Sequence, residues 1–256
     1  MKTQSRDVLR SGRWPRAMML LAGTAVGLSA AAPALAAPEG ARVVRGDASI
    51  TRGGAETTIR AADGTIIEYR SFDIGGHESV RFLQPHERAR VLNRIDGATP
   101  TRTDGAIYAN GRVYIVNPSG VIFGPGSVID AAGIFAAAGD ITNSDFLAGN
   151  NLFTNVTGPV TAQGLITADA VHLIGSRVAN HGTIVADGGV VSMLVGERVL
   201  VKERGSVVSA RIENPSGRRG RGVDRSSAVI EHPGPVSAAG ASISLGAGDA
   251  ASPAIR

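Results

Sequence analysis

The stretch Asn117-Pro118-Ser119-Gly120-Val121-Ile122-Phe123-Gly124 decides the fold. A turn-forming Asn-Pro-Ser-Gly opens a short apolar run, and a glycine closes it. The flanking segments 111–116 and 127–130 have the apolar, β-branched composition of strands. Strand, tight corner and strand then alternate along most of the remaining chain. This pattern is typical of a coil of short strands and not of a globule with a catalytic cleft.

An internal repeat supports this interpretation. Segments 164–175 and 182–196 both begin Gly-x-Ile-x-Ala-Asp and continue as an apolar strand, so Gly164 and Gly182 set a period of 18 residues. We expect further copies at Gly205 and Gly234. Periods near 20 with short strands indicate a solenoid, and the spaced leucines and helical half of a leucine-rich repeat are missing. We therefore predict an all-β fold, a right-handed parallel β-helix with an amino-terminal capping region.

The repeat also predicts the organisation of the chain. We expect 37–90 to form the amino-terminal cap and first coils, since an open parallel edge recruits other chains. Residues 91–212 would form the β-helical secretion domain, and 233–256 the last coil and tail. The segment 213–232 interrupts the repeat and is predicted to be an exposed loop rich in Arg, Gly and Ser. Only 85–93 has the pattern of a short helical turn.

The first 36 residues have the three parts of a secretory signal peptide. Basic residues precede a small, apolar run over 17–32, and Ala34-Leu35-Ala36 matches the small-x-small pattern before a cleavage site. We predict cleavage between Ala36 and Ala37. The alternative, a retained membrane anchor, fits less well because the apolar run is short. No second long apolar stretch follows, so we predict no membrane span in the mature chain.

Removing this segment changes the charge of the chain. It carries five of the 26 Lys and Arg and one of the 22 Asp and Glu, which leaves 21 of each and formal neutrality. The high isoelectric point of the whole chain is therefore no evidence for nucleic-acid binding, and we expect none. Cysteine is absent, so burial and hydrogen bonding must stabilise the fold without the disulfides common in small secreted domains.

No catalytic or metal-binding constellation stands out in the sequence. The five histidines lack metal-ligand spacing, and neither a nucleophile elbow nor a phosphate loop is present. We therefore expect no enzyme activity and no cofactor. Because parallel β-helices also host polysaccharide-degrading enzymes, the equivalent residues Asp169 and Asp187 are weighed as stacked, paired carboxylates. Corner residues repeated for reasons of folding are the favoured interpretation.

Four further motifs occur in order between 42 and 147. They are 71–75 (SFDIG), 78–85 (ESVRFLQP), 92–95 (LNRI) and 110–121 (NGRVYIVNPSGV). Together they resemble S-F-N-I-G, V-x-F-x-Q-P, L-N-R-V and N-G-x-V-x-L-I-N-P-N-G-I, the motifs of the amino-terminal secretion domain of filamentous-haemagglutinin-like proteins. These are the exported partners of two-partner secretion. Ser119 replaces the second Asn of the last motif, and Ser makes the same local turn hydrogen bond more weakly.

The resemblance implies an adhesin-like protein, secreted by or displayed on the surface of a Gram-negative-type bacterium after passing through the periplasm. Its partner would be an outer-membrane β-barrel transporter whose periplasmic domains meet the extended chain by strand addition. The residues expected to serve recognition or to form the first corners are Asn93, Asn117, Pro118, Ser119, Gly120 and Val121. If Asn117 serves recognition, we expect Asn117→Ala to lower secretion with little change in stability.

Two other functions stay open. In the first, the chain is a carbohydrate-binding or adhesive surface module without partner secretion, and the basic residues from Arg218 to Arg225 meet anionic host or surface glycans. In the second, which we favour least, it is a β-helical polysaccharide-degrading enzyme that uses Asp169 or Asp187.

Overall fold

The computed structural model describes residues 37–204, 207–213, 230–237, 242–247 and 251–252. The predicted signal peptide, 1–36, and residues 214–229 of the predicted loop lie outside the described residues. The strands, in chain order, are β1 (Arg42–Arg45), β2 (Ala48–Gly53), β3 (Glu56–Ala61), β4 (Thr65–Tyr69), β5 (Ser79–Leu83), β6 (Arg90–Ile95), β7 (Thr101–Thr103), β8 (Ala106–Val116), β9 (Val121–Phe123), β10 (Val128–Ala137), β11 (Asp140–Ile141), β12 (Leu152–Thr154), β13 (Pro159–Ala162), β14 (Leu165–Gly175), β15 (Arg177–Asn180), β16 (Thr183–Val185), β17 (Val190–Val195), β18 (Arg198–Arg204), β19 (Val207–Glu213), β20 (Ile230–Glu231), β21 (Val236–Ser237), β22 (Ser242–Ala247) and β23 (Ala251–Ser252). One helix, α1 (Asn143–Ala148), lies between β11 and β12.

Strands of successive repeats pair in parallel. In the largest sheet, β8, β10, β14, β17 and β22 follow one another, and β7, β9, β13, β15 and β20 do so in a second sheet. Leu165 pairs with Thr183 and Ile166 with Ile184, at the predicted offset of 18 residues. The repeat is confirmed, and so is the copy that begins at Gly234, because Val236 pairs with Ile184.

Glycines mark a corner where the repeats stack closely. A Cβ atom added to Gly182 would lie 2.1 Å from the carbonyl oxygen of Gly164, and one added to Gly234 would lie 2.1 Å from that of Gly182. These separations are shorter than a side chain tolerates, so only glycine allows the backbones to approach here. This close approach explains why glycine begins each copy of the repeat.

The largest sheet is buried on both faces. Along β10, Ile134 and Ala136 belong to one apolar cluster, whereas Phe135 and Ala137 belong to another. Successive side chains of a strand point to opposite faces, so the two clusters lie on opposite sides of the sheet. The first cluster also contains Val121 of β9, and it therefore fills the space between the two parallel sheets.

An antiparallel layer covers the other face of this sheet. Strands β11, β12, β18, β19 and β23 form it, and together with α1 they contribute Phe146 and Phe153 to the second cluster. The predicted copy at Gly205 is wrong, because the described strand that follows it, β19, pairs antiparallel with β18 and not with a coil. Its alternating Val208 and Ala210 are buried in the outer cluster, a pattern common to any strand with one buried face.

The helical turn predicted over 85–93 is also wrong. Residues 85–89 form a connection with a turn, and Arg90–Ile95 form β6. Val91 and Leu92 are buried in opposite clusters, which a strand paired on both sides permits. The helix occurs instead at α1, which has Thr142 as its N-cap and Gly149 in the left-handed conformation at its end. These are ordinary helix-boundary signals.

Antiparallel strands end the parallel pairing on the amino-terminal side. β1 pairs with β4 and β2 with β3, whereas β3 and β4 themselves pair in parallel with β5 and β6. All four residues of β1 are exposed. Charged Arg42 and Arg45 flank its two valines, and such charges discourage an exposed edge strand from pairing with other chains.

Candidate functional site

Asn117, Pro118, Ser119 and Gly120 form one tight corner between β8 and β9. Gly120 N donates to the carbonyl oxygen of Asn117 at 2.9 Å, which closes the turn. Proline at the second position supplies the φ angle that the turn needs. Gly120 has a φ of 124°, in a region that other residues rarely adopt. The local sequence chemistry therefore accounts for the turn.

The Asn117 side chain is completely buried and hydrogen-bonded through both of its polar atoms. Nδ2 donates to Thr99 O and to Thr101 Oγ1, both at 2.9 Å. Oδ1 accepts from Ser119 N, also at 2.9 Å. The amide thus joins the corner to the segment that enters β7, one layer earlier in the stack. These bonds argue against the expectation that Asn117→Ala would leave the stability of the protein nearly unchanged.

Neighbouring segments lie against both sides of the corner. Ser119 Oγ donates to Gly97 O at 3.2 Å, and Thr157 Oγ1 donates to Pro118 O, also at 3.2 Å. A Cβ atom on Gly158 would lie 2.5 Å from that Pro118 oxygen. The corner is therefore one layer of a close stack, and its geometry depends on the preceding and following layers.

Val121 and Asn93 have different surroundings. Val121 begins β9, is completely buried and pairs in parallel with Thr101 and Val160. Asn93 lies in β6, in the other parallel sheet. Its Nδ2 donates to Tyr114 O at 3.1 Å, and within the described part of the chain its buried Oδ1 has no hydrogen-bond partner. The structure thus brings five of the six predicted residues to one corner and leaves Asn93 outside it.

Little of the predicted site is accessible in the folded protein. Pro118 and Ser119 are partly exposed, and the other four predicted residues are buried. A partner that reads the buried side chains must therefore meet the chain before it folds. Of the two predicted cleavage-site residues, Ala36 lies outside the described residues, and Ala37 is the first described residue and is half-buried.

The sequence analysis missed a polar cleft of about 580 Å³. Its polar and charged lining residues are Glu87, Arg88, Arg90, Arg112, Tyr114, Asn151, Asp169 and Glu203. Three arginines face three carboxylates, so the lining carries no net formal charge. The residues come from segments far apart in the chain, and no motif or spacing in the sequence connects them.

Glu203 links three elements at this cleft. Arg112 Nη1 donates to one carboxylate oxygen at 2.7 Å, and His172 Nε2 lies 2.7 Å from the other. Burial raises the pKa of Glu203, but the hydrogen bond with His172 and the charges of His172 and Arg112 outweigh it and lower the pKa to about 2. The carboxylate therefore holds β18 against β8 and β14. The His172 ring also stacks on Phe135, with centroids 4.3 Å apart.

The paired-carboxylate alternative is wrong. The pairing offset grows from 18 residues at Val185 to 20 at Val190. As a result Gly189, and not Asp187, lies against Asp169, where an added Cβ atom would be 1.9 Å from the Asp169 carbonyl oxygen. Both aspartates are exposed, which fits corner residues better than a catalytic pair.

Two further properties bear on function. Among the residues that the structure describes, no group of three or more His, Cys, Asp or Glu side chains could hold a metal ion. A helix with the length and apolarity to cross a membrane does not occur in that part of the chain either.

Residues 34–250 match the family model of the TPS secretion domain, so the chain belongs to this family. It is therefore a two-partner secretion domain, as the four ordered motifs predicted. The family match spans all six predicted recognition residues and both parallel sheets.

Individual relatives agree with this assignment. The chain is 35% identical over 190 residues to a heme/hemopexin-binding protein of Haemophilus influenzae, covering 69% of this chain and 21% of that protein. A second Haemophilus influenzae protein of the same name is 40% identical over 82 residues, 32% of this chain and 9% of its own length. The crystal structure of the HMW1 secretion domain from Haemophilus influenzae superposes with a TM-score of 0.71 at 27% identity, covering 82% of this chain and 57% of that one. The chain thus spans about a fifth or less of the curated relatives it matches.

Proposed function

We propose that this chain directs the export of a two-partner secretion exoprotein through an outer-membrane β-barrel transporter. The family match of 34–250 is the observation that carries the proposal. Parallel pairing at an 18-residue offset supports a right-handed parallel β-helix as the folded form. In this proposal 37–90 form the cap and first coils, 91–212 the helical secretion domain, and 233–256 the last coil and tail.

Recognition takes place on the unfolded chain. In the folded protein, the amides of Asn93 and Asn117 are buried and hydrogen-bonded, so a transporter has no access to them. In an extended chain the same side chains are free, and the backbone can add as a strand to a periplasmic domain. The corner residues then serve twice, first in the transporter and later in the folded stack.

The features of 1–36 support entry into the periplasm by the general secretion route, with cleavage between Ala36 and Ala37. The mature chain is then released or stays on the surface of a Gram-negative-type bacterium. Fractionation of the source cells, with the intact mass of the chain in each fraction, tests this route. A chain that begins at Ala37 in the medium or on the outer surface supports export, whereas a cleaved chain held in the periplasm contradicts it.

A matched pair of variants tests recognition separately from folding. Asn117→Ala alters the proposed recognition segment, whereas Gly158→Ala disturbs the same folded corner from the next layer, because its Cβ would meet Pro118 O at 2.5 Å. We expect Asn117→Ala to lower the exported fraction several-fold more than Gly158→Ala when both destabilise the fold to a similar extent. Equal losses in the two variants would mean that Asn117 acts through folding alone.

A second candidate is a binding role for the exported protein. The names of the relatives favour a binding protein for haem or hemopexin, and an adhesin-like or glycan-binding role stays a proposal beside it. Adding haem to the chain 37–256 tests the first through its absorbance spectrum. Binding to an anionic glycan at low and high salt tests the second, because a basic loop loses affinity as salt rises. An unchanged spectrum and salt-insensitive binding reject both.

A further inference from the structure

A small cavity of about 90 Å³ lies at the amino-terminal end of the described chain. Ala37, Pro38 and Glu39 line one side of it, and Arg52 and Glu78 are its other charged lining residues. The cavity therefore places the first residue of the predicted mature chain beside a buried carboxylate.

Glu78 is 9% exposed, and its Oε2 accepts a hydrogen bond from Gly75 N at 2.7 Å. Within the described residues, no Lys, Arg or His nitrogen lies within ion-pairing distance of this carboxylate. Arg52 lines the same cavity, but its guanidinium donates to Pro38 O. A buried carboxylate is costly without a cationic partner, so the cavity has a place for one.

The chain that leads into the cavity is fixed in position. Glu39 N donates to Ser71 O at 2.9 Å, and Arg70 N donates to Glu39 O at 3.0 Å. Pro38 is buried and has the fixed φ angle of proline. Ala37 is therefore held at the cavity instead of extending freely into solvent.

We propose that this cavity is a binding site for the mature amino terminus, in which the α-ammonium group of Ala37 pairs with the Glu78 carboxylate. The inference rests on the cleavage site of the proposed function. Signal peptidase and water hydrolyse the Ala36–Ala37 bond, leaving a carboxylate on Ala36 and an amine on Ala37 that takes up a proton at neutral pH. The precursor offers only one neutral amide N–H at this place, so removal of the signal peptide completes the amino-terminal end of the fold.

The pH dependence has a definite sign. The charged groups that line the cavity are Glu78, Arg52 and Glu39, and Glu39 is already paired with Arg70. Pairing with Glu78 favours the charged amine, so the pKa of the amine is higher in the folded than in the unfolded chain. The stabilisation is complete below the unfolded value of about 7.7–8.0, and it is lost as the pH rises through the folded pKa.

The experiment compares the chain 37–256 with a free Ala37 amine and the same chain extended by Gly-Ser. Nuclear magnetic resonance of labelled alanine gives the amine pKa, and hydrogen exchange at pH 6 reports on the Glu39 and Arg70 amides. We expect the pKa to lie about one unit above its ordinary value, and exchange to be about tenfold slower in the free-amine chain than in the extended one. Glu78→Gln should abolish both effects, whereas the matched Glu39→Gln should preserve them.

An amine pKa that is equal in the native chain and in Glu78→Gln would overturn the inference, as would equal exchange in the free-amine and extended chains. The extended chain leaves every lining side chain intact, so the comparison holds even if Glu78→Gln folds poorly. The purified chain does not depend on a transporter. Failure of the inference is thus a normal amine in a chain that is exported, and failure of the proposed function is a chain that is not exported.

Discussion

Replacing Asn117 by alanine should destabilise the folded protein by about 3 kcal/mol. The substitution removes three hydrogen bonds of 2.9 Å, each of which contributes about 1 kcal/mol net. It also leaves Thr99 O, Ser119 N and Thr101 Oγ1 without these partners. Thr101 is only 1% exposed, so water cannot readily replace the amide there. The estimate exceeds the small change expected from the sequence.

Urea unfolding of the chain 37–256, followed by far-ultraviolet circular dichroism, measures this loss. The one tryptophan, Trp14, precedes this chain, so tryptophan fluorescence cannot report on it. Ser119→Ala is the matched control, because it removes a single 3.2 Å bond from a half-buried side chain and should cost less than about 1 kcal/mol. If Asn117→Ala is as stable as this control, the buried hydrogen bonds do not hold the corner and the reasoning fails.

Two further predictions concern the outer layer of the largest sheet. Since its folded pKa of about 2 lies below the ordinary value of 4.5, Glu203 contributes stability above pH 4.5 that is lost as the pH falls toward 2. We expect native protein to lose up to about 3 kcal/mol of unfolding free energy over this range relative to Glu203→Gln, and parallel acid-dependence curves for the two proteins would refute this. Ser192 is completely buried, and its hydroxyl has no hydrogen-bond partner among the described residues. Ser192→Ala should therefore raise the unfolding free energy by about 1 kcal/mol, and a lower urea midpoint would show that the hydroxyl does have a partner.

The coil was predictable from the sequence because its causes are local and repeated. The turn at Asn117 to Gly120 depends on residues four positions apart, and glycine returns wherever two backbones touch, as at Gly164 and Gly182. The 18-residue period then gave the register of β14 and β16 directly. Where each layer repeats the chemistry of the one before, a single chain contains enough information to predict the stacking.

The outer layer was not predictable in the same way. Strand β19 has the alternation of a coil strand, but its partner is set by the hairpin with β18. Val91 and Leu92 fit a helical pattern, yet pairing on both sides made them a strand. Glu203 meets Arg112 and His172 only because β18 folds back over the sheet. Each of these features depends on long-range contacts that have no counterpart in the repeat.

The two kinds of sheet differ in the order in which an emerging chain can complete them. Parallel neighbours such as Leu165 and Thr183 are 18 positions apart, whereas the outer layer joins Leu152 to Leu200, and contacts of short sequence separation form faster. A chain that leaves a pore with its amino end first can close one rung for every 20 or so residues released, while the outer layer waits for residue 200. Each closed rung is too wide to re-enter a pore sized for an extended strand. The fold thus acts as a ratchet, with the outer sheet as its final lock.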